Sequence, residues 1–472
     1  MANSTSVAER LEEFMLTLTP EAIALLVGAA EKSRLKSESD PVSEMILQAA
    51  VKHSRKYGNE IPRTTEPDRL LFSPIETFLI DRAVGPKQSA RIERASLPVI
   101  WTWLSRDLIP DEIEKAEPLI RDHILAGRNT DIQKLINELR CSAVSAINKI
   151  FDRFQEQPDE RLRIAGHLGS EQALEDARDI AIIFENLDDL SEIRSALPQN
   201  IAALEGDLLE TSTKLLGDIC NRAPQLRPFG LALVMARLEH PAEIIRMAKA
   251  AVHSDASIKL ESHAYRVAIE LVLYEANIMA RQAQDALGPM KNIKKICSYL
   301  RDYYSLAHGL NVEVEMSSTS SWAKKIRKIR TGLSDRVSSV IGDTPRQIKA
   351  VLSYDEKGRA EVPEHEIAAV EKLLILMNQC RRISGELALN ETLSRTRRDS
   401  EQYLNMMGDA IVERIRRSDL ASRLPLTSRL HIAERLTRIA LGDEIAELLC
   451  RSGSLAIQSV ESEDAALARQ SA

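Results

Sequence analysis

Five cations stand within seven residues of the chain, Lys324-Lys325-Ile326-Arg327-Lys328-Ile329-Arg330. Ammonium and guanidinium groups at their ordinary pKa values are neither bases nor nucleophiles at neutral pH; grouped, they attract anions. Placed on a helical wheel, Trp322, Ile326, Ile329, Leu333 and Val340 fall within about 40° of one line, with the cations spread around the rest. The spacing therefore predicts a basic amphipathic helix over 322–341, with Lys324, Lys325, Arg327, Lys328 and Arg330 as candidate binding residues. Such a helix can simply dock by its apolar stripe with its cations solvated; as a binding element it suits first an acidic face of a protein or of this same chain, and second nucleic-acid phosphate or anionic lipid. The surrounding charge is uneven. Residues 287–346 carry 11 bases and 5 acids, whereas residues 156–215 carry 5 bases and 14 acids.

Other chemistry is sparsely supported. The 18 glycines form neither G-x-G-x-x-G nor G-x-x-x-x-G-K, so the backbone approach that a bound phosphate needs is missing. No G-x-S-x-G elbow is present. The nine histidines lie at least ten residues apart, and none has an acid three residues before it, so helical metal-ligand spacing is absent. The five cysteines, Cys141, Cys220, Cys297, Cys380 and Cys450, are scattered without a C-x-x-C pair and read as free thiols. No cofactor or metal is expected.

One acidic run, Asp188-Asp189-Leu190-Ser191-Glu192, resembles the Asp-Asp-x-x-Asp/Glu motif of all-α prenyl-diphosphate enzymes, where paired carboxylates hold magnesium. The resemblance covers five residues. A partner motif is missing, because Asn390-Glu391-Thr392-Leu393-Ser394 is followed by Arg398 where a second metal-binding acid would sit. The 4% aromatic content is also poor material for a carbocation pocket. The run is expected to lie in a solvated interhelical loop.

A single carboxylate inside an apolar pattern is a different kind of candidate. Leu260, Ala264, Val267, Leu271, Tyr274 and Ile278 step by threes and fours, as do Ile269, Val272, Ala276, Met279 and Ala283. Together they predict one long core helix over 260–287, with a homodimer seam as the alternative use of so broad an apolar arc. Glu275 falls inside that arc. It is expected to be largely buried and bonded to a basic or hydroxyl group on another segment.

These elements belong to a chain dominated by helix signals. Prolines stand at expected helix starts in Thr19-Pro20, Asp40-Pro41, Ile109-Pro110, His240-Pro241, Thr344-Pro345 and Val362-Pro363, often followed by acids. Leu174, Ala177, Ala181 and Phe184, and also Ile132, Leu135, Ile136 and Leu139, keep the helical period. The expected fold is all-α, an irregular multi-helix bundle or stack, with at most a small β-hairpin patch around 310–362. Candidate linkers at 57–68, 157–169, 305–321 and 353–363 divide it into helical units 1–156, 170–308 and 318–451, with a flexible tail over 452–472.

At 472 residues, 44% hydrophobic and 28% charged with net charge −7, the composition excludes disordered, collagen-like and disulfide-stapled classes. The longest apolar runs, Ala22–Ala30 and Pro228–Ala236, fall far short of the ~20 residues needed to cross a bilayer. An acidic approach to the first run does not resemble a signal peptide. The expectation is a soluble cytoplasmic protein that binds macromolecules as a scaffold, adaptor or regulatory subunit. A nucleic-acid-associated protein acting through the basic helix is the second reading, and an enzyme with dispersed residues the third.

Overall fold

The computed structural model describes residues 67–470 except 289, 354–361, 388 and 419, together with most positions of 7–33 and 42–50. The chain is all-α: 82% helical, with a lone two-stranded parallel sheet among the described residues. No described helix is long and apolar enough to cross a membrane. Where the sequence suggests three helical units, the chain folds into two compact ones, Met1–Tyr274 with Gly309–Ser317, and Glu275–His308 with Ser318–Ala472.

In the first unit, helix Asn129–Glu156 packs along helix Glu171–Glu185, and the expected apolar positions Ile132, Ile136, Leu139, Leu174, Ala177, Ala181 and Phe184 are all buried. The apolar run at 228–236 becomes helix Arg227–Arg237, whose residues 229–235 are enclosed on every side, as an all-round apolar helix must be. Phe229 meets Phe78 edge to face at 5.4 Å. Pro110 opens helix Pro110–Leu125 as expected, and Pro363 stands at the N-cap of Glu364–Arg382. The starts proposed at Pro20 and Pro41 lie outside the described residues.

The sheet is not where the sequence suggested. Leu310 to Glu313 belong to helix Ile293–Glu313, Val351 and Leu352 close helix Thr344–Leu352, and 354–361 lie outside the described residues. The strands are Leu79–Ile80 and Ile92–Glu93, paired in parallel with Leu79 opposite Ile92. Parallel strands usually need a longer crossover than the loop 81–91 that joins these two. The loop turns back through left-handed backbone at Gly85 (φ 82°) and Ala90 (φ 60°).

The expected helix over 260–287 is in fact two, Ser257–Ser262 and Arg266–Leu287. The break has a local cause. His263 Nδ1 accepts the Tyr265 amide at 3.3 Å and its ring stacks on Tyr265, so the side chain takes a hydrogen bond that the helix would otherwise satisfy. Two expected linkers are also largely helical. Pro158–His167 occupies one, and Ile293–Glu313 runs into the other.

In the second unit, Asn390–Arg416, Leu420–Leu441 and Asp443–Gln470 pack on one another, and Glu364–Arg382 lies against Leu420–Leu441. The tail expected from Ser452 onward continues the last helix. Gly453, Ala456 and Val460 are buried, and Gly453 faces Leu430 so closely that an added Cβ would stand 2.1 Å from its Cδ2.

Candidate cationic binding face

The basic helix forms over Ser321–Ile341, one residue longer than the expected N-terminal bound. Ser320 caps it, its hydroxyl accepting the Trp322 amide at 3.1 Å. Trp322, Ile326, Leu333, Val337 and Ile341 are buried, and Trp322 is only 2% exposed. Ile329 and Val340 are half-buried, so the enclosed stripe is turned toward Val337 and Ile341 relative to the sequence wheel. Within its unit the helix packs on Glu364–Arg382, Ser384–Leu387 and Asn390–Arg416, and the buried Ser334 hydroxyl donates to the Leu387 carbonyl.

Lys324, Lys325, Arg327 and Lys328 are exposed, and Arg330 is half-buried. At 100° per residue the four exposed cations occupy an arc of about 160°, centred about 180° from the buried stripe. None of the four forms an ion pair among the described residues. Their position is electrostatically unfavourable. Lys324 stands in the first turn, where the helix dipole is positive and no acid is present to offset it. Lys324 and Lys328 also repel at i,i+4. The helix forms because its apolar stripe is buried, not because these charges help it.

The first unit holds charge in the opposite manner, in a cluster that the sequence pattern did not reveal. Lys87 reaches from loop 81–91 to Asp176 Oδ1 at 2.7 Å, Asp179 Oδ2 at 2.8 Å and the Arg91 carbonyl at 2.7 Å. Asp176 is fully buried and also accepts from the Ser96 hydroxyl at 2.6 Å, the Glu93 amide at 3.1 Å and the Gln172 amide nitrogen at 3.0 Å. The Ala90 amide donates to Asp179 at 3.3 Å, which fastens the left-handed turn. Burial pushes Asp179 above the usual carboxylate range, against the pull of Lys87. Burial alone would lower the Lys87 ammonium, but the two aspartates outweigh it and leave it above the ordinary lysine value.

The ammonium has no lone pair and its three N–H donors are taken by three acceptors, and Asp176 accepts four hydrogen bonds. The cluster therefore ties the short strands to helix Glu171–Glu185. The sequence did hold a signal for it: Asp176 and Asp179 sit among Leu174, Ala177 and Ile180, acids inside an apolar period. Their partner lies 89 residues upstream of Asp176 and could not be paired by pattern.

A third charged group lines a cleft of about 510 Å³ in the first unit. Arg246 and Lys249 reach Glu313 at 2.7 and 2.9 Å, and Arg246 also meets Glu243 at 3.3 Å, so two carboxylates balance the two cations there. Burial would raise the Glu313 carboxyl, but the Lys249 and Arg246 bonds outweigh it and hold it below the usual range.

The acidic run Asp188-Asp189-Leu190-Ser191-Glu192 lies in helix Leu187–Ala196 and not in a loop, and Arg222 reaches Asp189 at 2.9 Å and Glu192 at 3.4 Å. Those carboxylates already share a cation, and no cluster able to hold a metal occurs among the described residues. Glu275 is half-buried, less enclosed than expected. Residues 271–274 are buried in succession, and beyond them Ala276, Ile278, Ala280 and Ala283 are buried, with Glu275, Asn277 and Met279 between them half-buried. The cysteines are free; Cys380 is fully buried, which pushes its thiol up to about 12. None of the family models, curated proteins or solved structures compared with the chain matches it.

Proposed function

We propose that this chain is a helical macromolecule-binding protein, a scaffold, adaptor or regulatory subunit, which meets its partner through the face formed by Lys324, Lys325, Arg327 and Lys328. One observation carries the reading: four exposed cations without carboxylate partners among the described residues, crowded on one side of the helix opposite a buried stripe. Side chains that burden a helix in this way have a reason outside it. Other cations of the chain are held by carboxylates, as at Lys87, Arg222 and Arg246. The scattered free thiols favour a reducing compartment such as the cytoplasm.

The test is affinity capture from a cell lysate, with mass spectrometry, comparing wild type with a variant carrying Lys324→Gln, Lys325→Gln, Arg327→Gln and Lys328→Gln. The four side chains are exposed and the apolar stripe is untouched, so the variant should fold. Wild type should retain partners that the variant loses. Identical capture by both proteins would remove the cationic face from the function.

A further inference from the structure

We propose that the partner of the cationic face is nucleic acid, gripped by its phosphate backbone without reading of base sequence. The proposal rests on the cationic-face reading above and names the chemistry of the partner. Three anionic surfaces could meet such a face, and the way the helix is packed separates them.

An anionic membrane holds a basic amphipathic helix by inserting its apolar side among the acyl chains. Here that side is already occupied: Trp322, Ile326, Leu333, Val337 and Ile341 are enclosed within the protein. Only charge would remain to hold a membrane.

A stable protein interface centres on desolvated aromatic, aliphatic or arginine anchors, and lysine is depleted there because its ammonium is strongly hydrated. The exposed face is made of Lys324, Lys325, Arg327 and Lys328, continued by Thr331, Gly332, Asp335 and Arg336. It has no aromatic or aliphatic residue to fill a pocket, and its arginines, Arg327 and Arg336, stand among exposed polar and lysine side chains.

A phosphate polymer asks for what this face has. Hydrated lysine and arginine side chains neutralise successive phosphates, and the gain comes from released counterions and not from buried apolar area. The exposed residues of the helix include no aromatic ring, asparagine or glutamine to stack on bases or pair with their edges, so its contact is made to the backbone. Four neutralised phosphates give a slope of log K against log salt of about −3.6 on duplex DNA.

The experiment measures fluorescence anisotropy of a labelled duplex of about 20 base pairs titrated with the full chain, at about 50 to 200 mM NaCl. Wild type should bind at ~50 mM, and affinity should fall about a hundredfold by ~200 mM. Two duplexes of unrelated sequence should agree within about twofold. The fourfold glutamine variant, checked by circular dichroism for retained helix, should bind at least about tenfold more weakly at ~50 mM. No wild-type binding at low salt, undiminished binding by the variant, or tighter binding to phosphatidylserine vesicles than to the duplex would each overturn the assignment. Failure here is distinguishable from failure of the broader reading. If the duplex is not bound but nuclease-treated captures still lose a protein partner in the variant, the face stands and its partner is a protein. If the variant keeps every partner, both readings fall.

Discussion

Lys87 and Lys328 carry the same ammonium on the same stem, and the protein treats them in opposite ways. Lys87 is drawn off an exposed loop into a site where two carboxylates and a carbonyl exhaust its hydrogen bonds. Lys328 stands in solvent beside three other cations, on a helix where its neighbours repel it. The first arrangement stabilises the structure and leaves no chemistry to spare. The second contributes nothing to stability that can be identified and keeps its charge available. Charge that the fold consumes and charge that it displays are told apart by partners, not by residue type.

The largest effect that would sharpen this contrast is expected at Lys87. Lys87→Met removes the cation and leaves Asp176 and Asp179 facing each other in a buried site, so urea unfolding should show a loss of about 3–5 kcal/mol. A loss below about 1 kcal/mol would mean that the cluster is not holding the strands.

Glu313 comes next, because its bonds to Arg246 and Lys249 are charge-assisted. Glu313→Gln should lower stability at neutral pH by about 1–3 kcal/mol. The sign with pH follows from its depressed pKa. Its contribution is full above the unfolded glutamate value near ~4.3 and is lost as pH falls through the lower folded value. Thermal melts of wild type and variant should therefore converge in strong acid; a constant gap would show that the ion pairs are not its source.

Asp179→Asn should do less. The substitution keeps an acceptor for the Ala90 amide, leaves Lys87 paired with Asp176 and removes a carboxylate that burial disfavours, so a change within about 1 kcal/mol is expected by chemical denaturation. A loss as large as that at Lys87 would show that the cation needs both charges.

The smallest effect is expected on the displayed side. The fourfold glutamine variant of the basic helix should unfold within about 0.5 kcal/mol of wild type, or slightly above it, since like charges are removed from the helix start. A clear destabilisation would mean that those cations serve the fold after all.

What could be read in the sequence follows the reach of each interaction. Helices spanning Leu174 to Phe184 or opening at Pro110 are written in neighbours three and four residues apart, and they form as expected. The basic helix was legible for the same reason, although which aliphatics close its stripe depended on what packs against it; Val337 displaced Val340. The break at His263 was not legible, because neither glycine nor proline marks it and a side-chain nitrogen takes the amide instead. The parallel strands have only two residues each, too few for alternation to register, and the cluster that holds them needs Asp176 to meet a lysine far along the chain. That the cations at 324–328 lack partners was equally invisible, since only a fold can show which charges go unmet.

The span between Lys87 and Asp176 has a kinetic meaning as well. Helical turns close within a few residues and form early, but this tie closes a loop of 89 residues and must wait until helix Glu171–Glu185 has something to present. Such a late contact leaves the rate of assembly almost untouched and governs how long the finished structure persists. Loss of Lys87 should therefore appear as faster opening of the first unit, with little change in how fast it forms.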